Sequence, residues 1–570
     1  MKRLLHRIIC LSLLAAPAGC GESEPAAKLD EPTVKLLSIE VKSTGESLEI
    51  GELRTVRVAR AKAPMDSLGG NLMLVSYGGG KVRQAIPFRL PDVLYLEGAL
   101  DESQPVGEEV AISGGSVTLF LDATEPLERV DVLDENASVV ASIGNQELRR
   151  AALSANLDTR SLLEATPPEH MSPFERLKSE FPQIRFMDPA AGDSLPAIFY
   201  IRPEFKRLVG INDQEADTLV AGLRRLPLTA LRAVRGVGVA EMDIASGYVG
   251  VSFGGSMLVA QHVLARPEKR DYMVGTISHE ATHNFQFLVN GRVPSTINPD
   301  TWPPDVLAEA DRTVAKYSLH AGVSSAWAEI QDTGVVLGVA GTYDSSDTWK
   351  AMSNATAAKL GFASRYGSTK PDEDMAEYVF HLHVPEAHGD GLICQPIRSA
   401  GDPFPSELAI PLAKVKFLEG LGLLDSTDVT KCVGNPRITG PTGIHLGGSI
   451  DFTSSLKSGW LDQDGGHFLA VSAKGAPYSF LLRILAPDDQ VLGLHRLDEV
   501  GYFNINRPNN AVYLSHDDNS LKARTSSGGL VLVTAVNAAL VEGAIFALSL
   551  RGPLGTTTDT FALSTFSVPQ

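Results

Sequence analysis

The chain has 570 residues, 44 % hydrophobic and 21 % charged, enough to bury several cores at roughly 100–200 residues per domain, and this composition excludes disorder of the chain as a whole. Its 68 acidic residues against 50 basic ones leave a formal charge of −18. That balance argues against nucleic acid or an anionic lipid surface as the main partner.

Lys2, Arg3 and Arg7 precede a short apolar run from Ile8 to Ala16. A cationic start followed by a run too short to cross a bilayer is an export signal. The run ends in Pro17-Ala18-Gly19-Cys20, which resembles a bacterial lipobox with Pro17 where leucine is usual. The resemblance implies removal of residues 1–19, which would take the charge to −21, and lipidation of Cys20. Residues 20–33 continue after Cys20 as Gly21-Glu22-Ser23-Glu24-Pro25 and suit a flexible tether. The expected location is the bacterial cell envelope, with Gly21 favouring the outer membrane by the same resemblance, and simple secretion as the alternative. Membrane association is expected only through this lipid anchor.

With Cys10 lost and Cys20 lipidated, Cys394 and Cys432 remain. In an oxidising compartment the pair predicts one disulfide closing a loop of about 40 residues, worth about 3–4 kcal/mol. Two buried thiols are the alternative.

Residues 34–144 carry short alternating β-branched runs such as Ser116-Val117-Thr118-Leu119-Phe120-Leu121, separated by turns such as Gly78-Gly79-Gly80. They predict a β-sandwich. Residues 145–435 are dominated by helical periodicity, with strands expected near Ala197-Ile198-Phe199-Tyr200-Ile201 and Tyr248-Val249-Gly250-Val251-Ser252-Phe253, and predict an α+β domain. In residues 436–570 short strands return, and a second β-sandwich is expected. Residues 529–550 are mostly apolar, but Asn537 and Glu542 interrupt them, so two core strands around a turn are predicted rather than a membrane span. No tandem repeat of period 20–50 is visible.

The informative motif is His279-Glu280-Ala281-Thr282-His283. On a helix, positions i and i+4 share a face, so His279 and His283 can offer two imidazole nitrogens to one Zn²⁺ while Glu280 reaches its water. Apolar residues on both sides continue the helix to Asn290-Gly291, a plausible C-cap. A catalytic zinc also needs a third protein ligand. Glu309, Glu329, Glu373 and Glu377 are the candidates, the last two on one face of a helix with an acidic first turn.

Here a resemblance enters. Arg365-Tyr366-Gly367-Ser368-Thr369-Lys370-Pro371-Asp372-Glu373-Asp374-Met375-Ala376-Glu377 resembles the second motif of gluzincin peptidases of the anthrax lethal factor type. It also resembles that of zinc-peptidase lipoproteins carrying Glu-Asp-Phe-Ala-Glu. The resemblance covers about 200 residues, mainly these two motifs, with a longer intervening stretch of about 90 residues here. It implies an α+β zincin-like core with Glu373 as third ligand, Glu377 as its supporting carboxylate, and Tyr366 as the oxyanion donor. The plain alternative for Tyr366 is a loop tyrosine packed on the core. Asp374 is expected to orient a ligand histidine. His381 could contact Glu377, but it, His383 and His388 are better read as partly exposed histidines at a helix end.

The stretch Ser246-Gly247-Tyr248-Val249-Gly250-Val251-Ser252-Phe253 lies where zincins place a sheet edge that pairs with extended substrate. An internal hairpin strand is the alternative. Trp302, Trp327 and Trp349 could wall or cap the cleft. No Gly-x-Ser-x-Gly elbow, phosphate loop or Cys-x-x-Cys pair is present. Asp462-Gln463-Asp464-Gly465-Gly466 could take Ca²⁺, but a hairpin turn is the better reading. The expected function is zinc-dependent hydrolysis of a protein or peptide substrate, with Glu280 as general base. The rival is a non-enzymatic surface lipoprotein whose β-domains bind a protein or glycan around a structural or degenerate zincin core.

Overall fold

The computed structural model describes residues 32–569 apart from 44–46, 99–105, 113–114, 152–170, 197–198, 200–201, 291–301, 316–319, 321–322, 337, 385–390, 401–405, 435–442, 447–449, 453–455, 464–465, 476–477, 486–492, 497–510, 517–523, 538–539 and 552–557. The export signal, Cys20, most of the tether and His388 therefore lie outside the described residues.

The chain opens with β1 (Thr33–Ser43), β2 (Leu48–Ala59), β3 (Leu72–Gly78), β4 (Lys81–Phe88), β5 (Val93–Gly98), β6 (Val106–Ala111), β7 (Ser116–Asp122), β8 (Arg129–Leu133) and β9 (Val139–Gly144). Strands β2-β1-β7 form one sheet and β4-β3-β8-β9 another. Gly79 and Gly80, at φ 62° and 69°, close the β3–β4 hairpin, because a turn that twists with its strands needs positive φ at both central positions.

Strands β5 and β6 leave this arrangement. They complete a sheet with β10 (Arg185–Phe186), β11 (Phe205–Leu208), β12 (Gly236–Met242), β13 (Tyr248–Phe253) and β14 (Ser256–Ala260), in the order β10-β12-β14-β13-β5-β6, with β11 on β12. Hydrogen bonding thus crosses the expected boundary at residues 144/145. One core follows it, from Ile39 and Leu119 through Leu94, Leu96 and Val251 to Phe285.

β13 corrects one expectation: it pairs antiparallel with β14 on one side and with β5 on the other, so it is internal rather than an edge. The strand expected at 197–201 lies mostly outside the described residues, and Phe199 donates its N–H to Pro196 O in a turn.

Two helices carry the motifs. The motif helix, Arg270–Val289, is buried over most of its circumference, and Asn290 ends it by donating to Gln286 O. A helix buried on nearly all sides is a core helix, and this one carries Ser278, His279, Glu280, Thr282, His283, Asn284 and Gln286 into the core. The acidic helix, Pro371–His383, starts with proline at its first turn, followed by Asp372, Glu373 and Asp374, which suit the positive end of the helix dipole. Gly275 lets the two meet, since a Cβ there would lie 2.7 Å from Phe380.

Ten strands, β15 to β24, from Gly443–Leu446 to Thr558–Pro569, form one further sheet. Its Arg524–Asn537 and Leu540–Arg551 strands pair antiparallel, as expected for the apolar stretch around residue 537. Among the described residues no helix is long and apolar enough to cross a membrane. Gln463 pairs with Gly466 across a hairpin, the preferred reading of that acidic turn. Cys394 and Cys432 are disulfide-bonded.

Candidate metal centre

One turn of helix separates His279 from His283, and their Nε2 atoms face each other at 3.0 Å. Glu373 crosses from the acidic helix, placing Oε2 3.5 Å from His279 Nε2 and 3.3 Å from His283 Nε2. Among the described residues these three form the one group of His, Cys, Asp or Glu side chains whose ligand atoms converge tightly enough to hold a metal ion. A tetrahedral ion bound at about 2.05 Å needs ligand atoms about 3.3 Å apart, so the triangle has the right size.

The tautomers fit as well. Gln286 Nε2 donates to Asp372 O at 2.9 Å, which turns its Oε1 towards His283 Nδ1 at 2.8 Å. The Nδ1–H of His283 therefore donates to Gln286, and its Nε2 lone pair points into the triangle. His279 Nδ1 likewise faces Glu377 Oε1 at 3.3 Å. Two imidazole lone pairs 3.0 Å apart repel unless a cation or a proton lies between them.

Burial alone would raise the pKa of Glu373, yet the imidazoles of His283 and His279 hold it well below the carboxylate range. Glu377 behaves alike: burial is outweighed by His279 and by His381, whose Nε2 is 3.5 Å away.

Glu280 is fully buried against β13. A Cβ on Gly250 would sit 2.4 Å from Glu280 Oε1, so a glycine is what allows strand and carboxylate this approach. Tyr95 of β5 stacks flat on the His283 ring, centroids 4.4 Å apart and planes within 11°.

Several expectations change. Asp374 orients no ligand histidine. It accepts instead from Trp327 Nε1 at 2.9 Å, Tyr343 OH at 3.1 Å, Ala363 N at 3.0 Å and Lys414 Nζ. The reason is angular: consecutive helix positions point about 100° apart, so if Glu373 faces the histidines Asp374 does not, whereas Glu377 does. Glu309 pairs with Arg312 and Glu329 is exposed; neither joins the triangle. His381 and His383 are buried rather than half-exposed, with His383 Nδ1 2.9 Å from Ser278 Oγ.

Tyr366 is buried with its ring 5.7 Å from that of Trp349. Trp327 backs the acidic helix through Asp374, and Trp302 donates to Glu135 O, so neither side chain caps the site.

Gln286, Tyr95 and Lys414 were not foreseen. Gln286 had a signal, lying three residues past His283 on the same helix face. Lys414 is one of two lysines, with Lys416, in the otherwise apolar run Leu412–Phe417, and the sequence does not single it out. Tyr95 had none, since only strand pairing brings it near.

No family model matches the sequence, and no curated protein matches it. Among solved structures the chain matches the crystal structure of a candidate zinc-binding metallo-peptidase from Bacteroides caccae. The identity is 16 % and the TM-score 0.27, and the match covers 48 % of this chain and 94 % of that one.

Proposed function

We propose that the chain is an exported zinc metallopeptidase with a zincin-like core of the gluzincin kind, acting on a protein or peptide. The observation that carries this is the triangle of His279 Nε2, His283 Nε2 and Glu373 Oε2 with Glu280 next to the first ligand. Two histidines and one glutamate, leaving a fourth position for water, are a donor set suited to catalytic zinc. Zinc held there would polarise a scissile carbonyl and make its water acidic enough to attack near neutral pH.

The rest belongs to the chain. Glu280 takes a proton from the attacking water and delivers it to the leaving amine. Gln286 and Glu377 keep the imidazoles turned, so that Nε2 is the free face of each. Tyr366 is assigned the hydrogen bond to the developing oxyanion, on the strength of the motif alone. Export and lipid anchoring rest on residues 1–20.

One observation favours the rival, a non-enzymatic surface protein with a structural metal: His279 and His283 are only 1 % exposed and Glu373 2 %. A digest of casein or a peptide library, with and without chelator, separates the two. Wild type should cleave and lose cleavage on chelation. Glu280→Gln should keep its zinc and lose about 100-fold or more in rate. Cleavage by that variant at the wild-type rate would remove Glu280 as base, and zinc-loaded wild type that cleaves nothing would favour the rival.

A further inference from the structure

The cover over His283 has an identifiable source. Strands β10 to β14 all come from residues 185–260, and the part of the sheet they build stops at β13. Beyond it lies β5, from about 150 residues upstream, pairing antiparallel with Tyr95 opposite Ser252, Leu96 opposite Val251 and Glu97 opposite Gly250. β13 is the strand that lies on the motif helix: Gly250 abuts Glu280, and Ser252 Oγ donates to Asn284 Oδ1 at 2.6 Å. An extended peptide presenting its carbonyl near Glu280 and the ligand triangle would run along this strand, taking its main-chain hydrogen bonds by strand addition. That place is filled by β5, whose Tyr95 ring covers the face of His283.

We infer that β5 is a built-in cover of the metal centre, occupying in cis the strand position that an extended peptide would take and leaving β13 when the centre is engaged. The inference deepens the peptidase reading by naming the regulation of its site, and to that extent rests on it. Two features set how firmly the cover sits. Leu94 and Leu96, on the opposite face of β5 from Tyr95, are buried in the core and hold the closed state. Tyr95 itself is only partly buried. Closed is then the resting state, and opening is a local event in which β5 leaves β13 together with β6, the outermost strand that pairs along its other side.

A reversible lock tests this. Leu96 and Val251 are directly opposite, and opposed residues of antiparallel strands lie about 4.5–5.5 Å apart, within disulfide range. In the full-length zinc-loaded protein, Leu96→Cys with Val251→Cys should, when oxidised, surrender zinc to EDTA about tenfold more slowly than when reduced. Wild type, which keeps Cys394–Cys432 as its own redox control, should lose zinc at one rate in both conditions. Equal rates for the locked and reduced variant would overturn the cover. Hydrogen exchange on unmodified protein checks it without any variant. Amides of β5 should exchange about tenfold faster than those of β14, and equal protection would overturn the inference.

Peptide turnover separates the two readings. Cleavage by the oxidised variant at the reduced rate overturns the cover. Absence of cleavage in every form, with the EDTA rates still apart, retires the peptidase reading and leaves the cover standing.

Discussion

Glu373 and Asp374 are neighbours on one helix, both buried, and their surroundings differ in kind. Asp374 meets its own cation: Lys414, fully buried, reaches it along with Gln331 Oε1 at 2.7 Å and Gly361 O at 2.9 Å, and the rings of Trp327, Tyr343, Phe362 and Tyr378 surround the ammonium at 5.1–5.9 Å. Burial pushes the pKa of Asp374 up and that of Lys414 down, each opposed by the other. Glu373 instead meets two imidazole nitrogens at metal-ligand spacing. A buried carboxylate that serves the fold carries its counter-charge within the fold, whereas one that serves a metal is aimed, with other lone pairs, at a common point.

The largest effect expected of this contrast is on stability. Lys414→Met leaves Asp374 buried without its cation and should cost about 3–5 kcal/mol in denaturant unfolding, most of it recovered when Asp374→Asn is added. A single variant as stable as wild type would break the distinction between the two carboxylates.

His383 sharpens it from a third side, as a buried polar group on the same helix with neither metal nor full counter-charge. Burial, reinforced by Arg225 and opposed by Asp428, lowers its pKa to about 4. The unfolded chain, near 6.5, then binds the proton first, so stability is full above pH 6.5 and falls as pH drops to about 4, by about 3 kcal/mol. His383→Gln should flatten that part of the pH–stability curve; an unchanged slope would show that His383 is not its source.

The smallest effect expected is on affinity alone. Gln286→Leu removes the acceptor for His283 Nδ1–H and should weaken zinc binding about 10–100-fold in a competition titration. Unaltered affinity would mean that the tautomer is set elsewhere.

Much of the centre was legible in sequence because it depends on helical spacing. His279 and His283 need only the i, i+4 rule, and Glu373 with Glu377 the same rule on a second helix. Spacing alone left the third ligand open among four glutamates; the packing of the acidic helix on the motif helix is what brings Glu373, of the four, to both histidine Nε2 atoms. What depends on long-range pairing was not legible. The alternation in Tyr248–Phe253 marks a strand but cannot say whether both its margins are used, and so the arrival of β5 and Tyr95 was missed. His381 and His383 looked half-exposed because they end a helix, but that end is buried, with His383 against Ser278 of the motif helix.

The central claim is that His279, His283 and Glu373 together hold one zinc. Metal analysis of purified mature protein beside Glu373→Ala tests it most directly. About one zinc per chain in wild type, and affinity down by more than the roughly 100-fold ceiling for an outer-shell partner in the variant, is the predicted result. Full zinc in both would contradict the ligand set, and no zinc in either after reconstitution would contradict the metal centre itself.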